Sequence, residues 1–284
     1  MNLIQETKFI MNKYQVSANK SYGQNFLIDE DVVLGICEKA NISKDDLIIE
    51  IGPGLGTLTA RLLEKAGKVI AVELDTKMIH ILNDRFSLYD NFKLINDDIL
   101  KVDLNKLISD ELGSLKKVKI VANLPYYITT PIIMKLLEEK LNIDSITVMV
   151  QKEVAERLCC SPGTGDTGAI TYTINYYTKP EIVLDVPKES FIPSPKVDSN
   201  VINLQILNNP SVMVKDEGTL FKVIKFAFMQ KRKTLLNSLS NSRMNSKEYF
   251  EKMLLDLNID LKIRPEKLSL DDFAKISDYI YEKK

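Results

Sequence analysis

Histidine is nearly absent from this 284-residue chain, which has one, His80. Ser-His and Cys-His triads are thereby excluded unless that residue is the base, and its setting among Ile79, Ile81 and Leu82 reads as an ordinary helix position. Cysteine is also scarce. Cys37, Cys159 and Cys160 make no C-x-x-C and no disulfide framework, which fits a reducing compartment. With so few histidines and no paired cysteines, no metal is expected. Long apolar runs are missing too: nothing approaches the ~18 residues of a membrane span. The opening MNLIQETKFIMNKYQ has no apolar core of a signal peptide. A cytoplasmic protein without a membrane partner is expected, and the lack of a heptad seam points to a monomer. Finally, there is little net charge, −1, which excludes a chain that coats nucleic acid indiscriminately.

One local absence matters more than that total. Residues 221–247 contain no acid at all but hold Lys222, Lys225, Lys231, Arg232, Lys233, Arg243 and Lys247. Such a stripe reads as a phosphate footprint. Its charges are mostly lysine, suited to sequence-independent backbone contact more than to guanine readout.

What is present is an alternation of apolar strands with amphipathic helices. Strands are predicted at 47–51, 68–73, 92–95, 118–122 and 146–150, with helices at 30–40, 57–66, 76–86 and 131–140 between or before them. This spacing means βαβ units and a mostly parallel sheet. Helices at 153–159 and 169–177 follow. Strands at 181–185 and 201–207, with no helix between them, predict an antiparallel addition at the sheet edge. Asn208-Asn209-Pro210 is the linker candidate, and beyond it every segment has helical periodicity. The predicted architecture is an α/β domain over 1–208 and a small all-α domain over 209–284.

The loop Gly52-Pro53-Gly54-Leu55-Gly56 follows a strand and opens a helix, so its backbone can approach a ligand closely. Its G-x-G-x-G spacing departs from the G-x-G-x-x-G that seats a pyrophosphate. Glu73 ends the next strand, placed to take both hydroxyls of a ribose, and Asp98 follows the third, placed to accept from an adenine amine. A ribose acid and an adenine acid without a pyrophosphate cradle suit S-adenosylmethionine better than a dinucleotide. Further on, the strand Ile120-Val121 runs into Asn123-Leu124-Pro125-Tyr126. An amide and an aromatic face just past a strand end lie where open α/β sheets place their chemistry.

In series, KSYGQNFLID, IEIGPGLGTLTARLL, VELD, NDDIL, NLPYYITTPI, MVQKEVAERL, FIPSPKVDS and AFMQKRKTLLNSL resemble the bacterial 16S ribosomal RNA adenine dimethyltransferase (KsgA/RsmA) family. The motifs run in order over nearly the whole chain, and the helical tail matches the family's small C-terminal domain. The resemblance implies a Rossmann-like S-adenosylmethionine-dependent methyltransferase sheet. It also implies cofactor contacts from Asn25, Leu27, Gly52, Glu73, Asp98 and Asn123. One departure is visible at 167–171, TGAIT, where the family often has Tyr-Gly and Leu-Ser.

The implied reaction is N6,N6-dimethylation of two adjacent adenosines near the 3′ end of 16S rRNA in the small ribosomal subunit. The adenine amine is a poor nucleophile because its lone pair is delocalised into the ring. The Asn123 side-chain oxygen and the Leu124 carbonyl are the candidate acceptors for its N–H bonds, held by the turn at Pro125. Tyr126 would stack on the flipped base. The resemblance offers Phe191 for the other face and Lys196 for a phosphate, and Lys231, Arg232 and Lys233 would extend the RNA contact. Two other readings remain open: a large-subunit adenine methylase of the erythromycin-resistance type, and a subunit-assembly checkpoint factor. Leu124 and the G-P-G-L-G loop favour the small-subunit enzyme over the first.

Overall fold

The computed structural model describes residues 2–19, 23–230, 232–242 and 244–283. Two compact units make up the chain: Met1–Ala155 with Pro180–Ile206, and Glu156–Lys179 with Leu207–Lys284. In chain order the first unit begins with α1 (Leu3–Lys13), β1 (Phe26–Leu27), α2 (Glu30–Lys39), β2 (Asp46–Ile51) and α3 (Thr57–Lys65). It continues with β3 (Lys68–Glu73), α4 (Thr76–Phe86), β4 (Phe92–Asn96), α5 (Leu104–Glu111), β5 (Lys117–Asn123), α6 (Thr129–Glu138) and β6 (Ser145–Gln151). After α7 (Lys152–Cys159) and α8 (Ala169–Tyr177), the chain returns through β7 (Thr178–Val186), β8 (Phe191–Ile192) and β9 (Ser199–Ile206).

Strand β2 shows why the sheet forms. Every residue of DLIIEI is buried, as a strand covered by helices on both faces requires. It pairs in parallel with β3 on one side and β5 on the other, Ile51 standing opposite Val72 and Ala122. The full order is β4-β3-β2-β5-β6-β9-β7. The chain therefore winds outward from β2, then restarts at β5, and the crevice between them opens at their carboxyl ends. The predicted antiparallel addition is present: β9 runs antiparallel to β6, and β7 lies outside it.

Helix starts follow the side chains. Asp29 accepts from the Asp31 and Val32 amides to cap α2, as its position before the apolar run predicts, and Asp75 caps α4 through the Lys77 amide. Helix α1 goes unannounced in the sequence reading because it buries only Thr7 and Ile10. A capping box between Asn2 and Gln5 starts it.

Gly56 opens α3 at a φ of +82°, and a Cβ there would come within 2.4 Å of Phe86 Cε2 and 2.9 Å of Leu82 Cδ2. Left-handed strain and overpacking add at this position. Gly56→Ala is expected to destabilise the protein by about 2–4 kcal/mol, read as a lowered urea midpoint.

The second unit is helical, with α9 (Glu217–Phe228), α10 (Leu235–Ser240), α11 (Lys247–Asp256) and α12 (Leu270–Glu282). Its apolar core includes Tyr172 and Tyr176 of α8 together with Val223, Phe250 and Phe273. The sequence-based division places residues 156–179 with the α/β domain, whereas these residues group with the helical unit. The reason lies in AITYTINYY: Tyr172 is fully buried and donates to the Leu268 carbonyl at 2.7 Å.

Candidate active site

A cleft opens at the carboxyl ends of β2, β3 and β5 and is lined by residues of five segments spread along the chain. The glycine loop forms one wall. Gly52 has φ +66°, and the position its Cβ would take has no atom within 4 Å, so the cleft stays open over that backbone. Gly54 donates its N–H to Glu73 Oε2 at 3.1 Å. Asp75 N–H donates to the other carboxylate oxygen at 2.9 Å. Glu73 is thus held from behind by two amides, each oxygen keeping a lone pair for the cleft it lines. Burial pushes its carboxyl above the usual glutamate value, and the two amide hydrogen bonds oppose that rise.

Arg85, mostly buried, donates to the Leu55 carbonyl within the same loop and pairs with Glu6 of α1 at 2.6 Å. Beyond β4, Asp98 lines the cleft while its Oδ1 accepts from the Leu100 amide at 3.0 Å.

The tetrad from Asn123 to Tyr126 joins β5 to α6. Asn123 ends β5 opposite Met149, and the Leu124 amide donates to the Met149 carbonyl at 3.2 Å. The Asn123 amide group donates through Nδ2 to the Asn25 carbonyl at 3.3 Å. A carbonyl can be faced only by the NH₂ end of an amide, so this contact also settles which end is the oxygen. Oδ1 is left as an acceptor with no partner among the described residues, and the Leu124 carbonyl is equally unpartnered. The Pro125 carbonyl, by contrast, is taken by Ile128 N–H and Thr129 Oγ1, each at 3.2 Å, which ties the loop to the start of α6. Tyr126 is half-buried, its hydroxyl 2.9 Å from Ser199 Oγ at the head of β9. Burial raises its pKa, so it stays a neutral phenol.

The N-terminal loop closes the other side. Asn25 and Leu27 line the cleft beside Gly52, Glu73, Asp98 and Asn123, so all six residues expected at a cofactor converge. Gln24 Nε2 donates to Asp75 Oδ2 at 3.0 Å, and its Oε1 accepts from the Asn19 amide at 2.9 Å.

Phe191 requires a correction. It was expected to offer a second face to the base, but it does not line the cleft and is 3% exposed. Strand β8 pairs antiparallel with β1, setting Phe191 opposite Leu27 in the apolar core. Lys196 lies exposed in the loop leading to β9, and Arg232 and Lys233 are exposed on the helical unit. Lys231 and Arg243 lie outside the described residues.

Sequence reasoning passed over Ser199, although it closes the FIPSPKVDS motif. It passed over Glu50 too, the acid inside the apolar run LIIEI just before the glycine loop. Glu50 is 1% exposed, lines the cleft and accepts from Thr59 Oγ1 at 2.6 Å. Burial pushes its carboxyl up to about 8, against the Thr59 hydrogen bond and with help from nearby Glu73. The unfolded chain releases this proton near the ordinary 4.5, while the folded chain holds it until about 8. Between those values the native state binds more protons, so stability falls as pH rises across the window. Glu50→Gln keeps an acceptor for Thr59 and has no proton to lose. It is expected to lose less stability than the wild type between about pH 5 and about pH 8, measured as thermal midpoints.

Comparison with known proteins gives a consistent picture. The family model described as ribosomal RNA adenine dimethylase matches residues 15–282. A ribosomal RNA small subunit methyltransferase A from Clostridium acetobutylicum is 50% identical over 275 residues, covering 97% of this chain and 98% of the relative. A protein of the same name from Alkaliphilus metalliredigens is 48% identical over 273 residues, covering 96% and 95%. Among solved structures, a dimethyladenosine transferase from Plasmodium falciparum is 26% identical with a TM-score of 0.76, covering 91% of this chain and 98% of that one. The 23S rRNA methyltransferase ErmE shares the fold, with a TM-score of 0.67 at 23% identity over 90% of this chain and 100% of its own.

Proposed function

We infer the reaction from a premise that these matches supply: the chain belongs to the ribosomal RNA adenine dimethylase family. It is an S-adenosylmethionine-dependent rRNA adenine-N6 dimethyltransferase. The substrate proposed is 16S rRNA in the small ribosomal subunit, at two adjacent adenosines near the 3′ end, in keeping with relatives named small subunit methyltransferase A. The observation that carries the chemistry is the Asn123 amide. Pinned by Nδ2 to the Asn25 carbonyl, it leaves Oδ1 free beside an unpartnered Leu124 carbonyl.

The residues present fit the cofactor. Gly52 leaves room for close approach, and Glu73 offers two lone pairs to ribose hydroxyls. Asp98 keeps Oδ2 for the adenine amine, with Lys101 Nζ 3.9 Å away as its ion-pair partner, and Asn25 and Leu27 close over the opposite side. When bound, S-adenosylmethionine supplies an activated methyl group.

Asn123 Oδ1 and the Leu124 carbonyl accept the two N–H bonds of the target amine. That favours the pyramidal geometry in which the nitrogen lone pair is no longer delocalised. Both acceptors are fixed before the substrate arrives, so they need no reorganisation at the moment of reaction. Tyr126, held by Ser199, stacks on the target base, and its π-face tolerates the positive charge that the amine acquires. No strong general base is needed, because the amine's proton leaves to water after the methyl group has arrived. The lack of histidine is therefore no obstacle.

The same reading assigns phosphate contact to Lys196 and to the basic stripe. Among the described residues Lys222, Lys225, Arg232 and Lys233 are exposed and form no ion pair, which leaves them free for an anionic partner. We further propose that the protein acts as a monomer in the cytoplasm and serves small-subunit maturation. No described helix is long and apolar enough to cross a membrane, and no metal-ligating cluster occurs among the described residues.

The deciding assay offers labelled cofactor to undermethylated small and large subunits separately. Label on adenosines of the small subunit is expected. Label confined to the large subunit would overturn the substrate assignment.

A further inference from the structure

With Phe191 buried, the accessible rings of the cleft are those of Tyr126 and Tyr127. They differ in setting. Tyr126 is half-buried and tethered through its hydroxyl, whereas Tyr127 lines the cleft yet is 60% exposed. An aromatic ring open to water at the mouth of a binding cleft offers a face that a flat ligand can cover.

Tyr127 is nonetheless held firmly. Gly23, at φ +60°, brings the backbone of the N-terminal loop against the ring; a Cβ there would stand 3.3 Å from Tyr127 Cδ1 and 3.6 Å from Cε1. The backbone on either side is fixed by Pro125 and by the Ile128 N–H to Pro125 carbonyl bond of 3.2 Å. Its hydroxyl has no hydrogen-bond partner among the described residues, and nothing within the described cleft covers its outer surface. A braced, solvent-facing ring at the mouth is what a stacking platform for a nucleic-acid base requires, since such stacking is tolerant of base identity.

We propose that Tyr127 is a second base platform, holding the nucleotide next to the target adenosine while Tyr126 holds the target itself. This rests on the rRNA substrate proposed above, in which one adenosine must leave the stack beside another. The neighbour, unstacked when its partner enters the cleft, gains a ring in place of the lost base. Tyr127 thus binds substrate and biases the enzyme toward finishing both adenosines on one subunit.

The test compares Tyr127→Ala, Tyr127→Leu and Tyr127→Phe on undermethylated small subunits. Three quantities are read: the KM for subunits, the fraction of product in which both adenosines are dimethylated, and cofactor affinity by calorimetry. Ala and Leu are expected to raise the subunit KM or slow the second adenosine by roughly 10- to 100-fold, the range of a lost base–aromatic stack. Phe, which keeps the ring, is expected to recover at least half of wild-type behaviour. Cofactor affinity and thermal midpoint should stay within about 2-fold and about 2 °C for all three. Leu behaving like Phe would show that Tyr127 merely packs on Gly23. Loss confined to cofactor affinity would make it part of the cofactor enclosure. Either result, or no change with Ala, overturns the platform. If the wild type itself fails to label small subunits, the substrate assignment fails first and carries this inference with it.

Discussion

Asn123→Ala is expected to lower turnover by about 10²–10³-fold, the cost of removing one preorganised group aimed at developing charge. The structure shows why the effect should be this large and concentrated in kcat. In the proposed mechanism Asn123 Oδ1 is one of two acceptors for the target amine, and the Nδ2 contact to the Asn25 carbonyl holds it against rotating away. Alanine leaves the Leu124 carbonyl alone, so one N–H bond of the amine loses its acceptor and the lone pair stays partly in the ring. Asn123→Asp should be nearly as poor, because it sets a carboxylate oxygen against the Asn25 carbonyl and undoes the anchor. Small-subunit binding, which this reading assigns largely to other surfaces, should survive both changes. Initial rates of methyl incorporation at saturating subunit and cofactor, beside cosedimentation with subunits, check the two halves separately. Unchanged turnover would remove Asn123 from the mechanism.

The second large effect is expected at Glu73, where alanine should weaken S-adenosylmethionine binding by about 10²-fold or more. Two charge-assisted hydrogen bonds to a ribose are worth roughly 1.5–3 kcal/mol each. The same substitution strips the Gly54 and Asp75 amides of their acceptor, loosening the glycine loop that faces the cofactor. Glu73→Gln should fall between, since its NH₂ must face one of those two N–H donors. Calorimetric titration with S-adenosylmethionine measures both variants. A pH dependence follows from the burial that raises the Glu73 carboxyl. Its ionised form is the one that accepts from both hydroxyls, so affinity falls on acidification. The fall should begin at a higher pH than an ordinary glutamate would give. In Glu73→Gln that dependence should disappear.

The glycine loop, Glu73 and Asp98 could be read in the sequence because each stands beside the strand that positions it. The acid at a strand end, the turn of glycines and the helix that follows are local consequences of chain direction. Asn123-Leu124-Pro125-Tyr126 was legible for the same reason. Glu50 was not: a carboxyl inside an apolar run looks like part of a strand until its burial and its Thr59 partner are known. Phe191 misled in the opposite direction. The family resemblance offered its ring to the base, whereas the pairing of β8 with β1 turns it inward.

Chain-local chemistry therefore determined the order of strands and helices, the spacing of the glycine loop and the position of the candidate tetrad at the end of β5. Contacts between distant segments decided how those parts are aimed. Asn123 and Asn25 are 98 positions apart, and Tyr126 and Ser199 are 73 apart. Each contact joins an active group to an element laid beside it by the sheet order or the β1–β8 pair. Two-residue strands carry no periodicity, and a hydrogen bond across the fold leaves no mark in either segment alone. The free oxygen of Asn123, the tether on Tyr126 and the open ring of Tyr127 became visible only once the chain had folded back on itself.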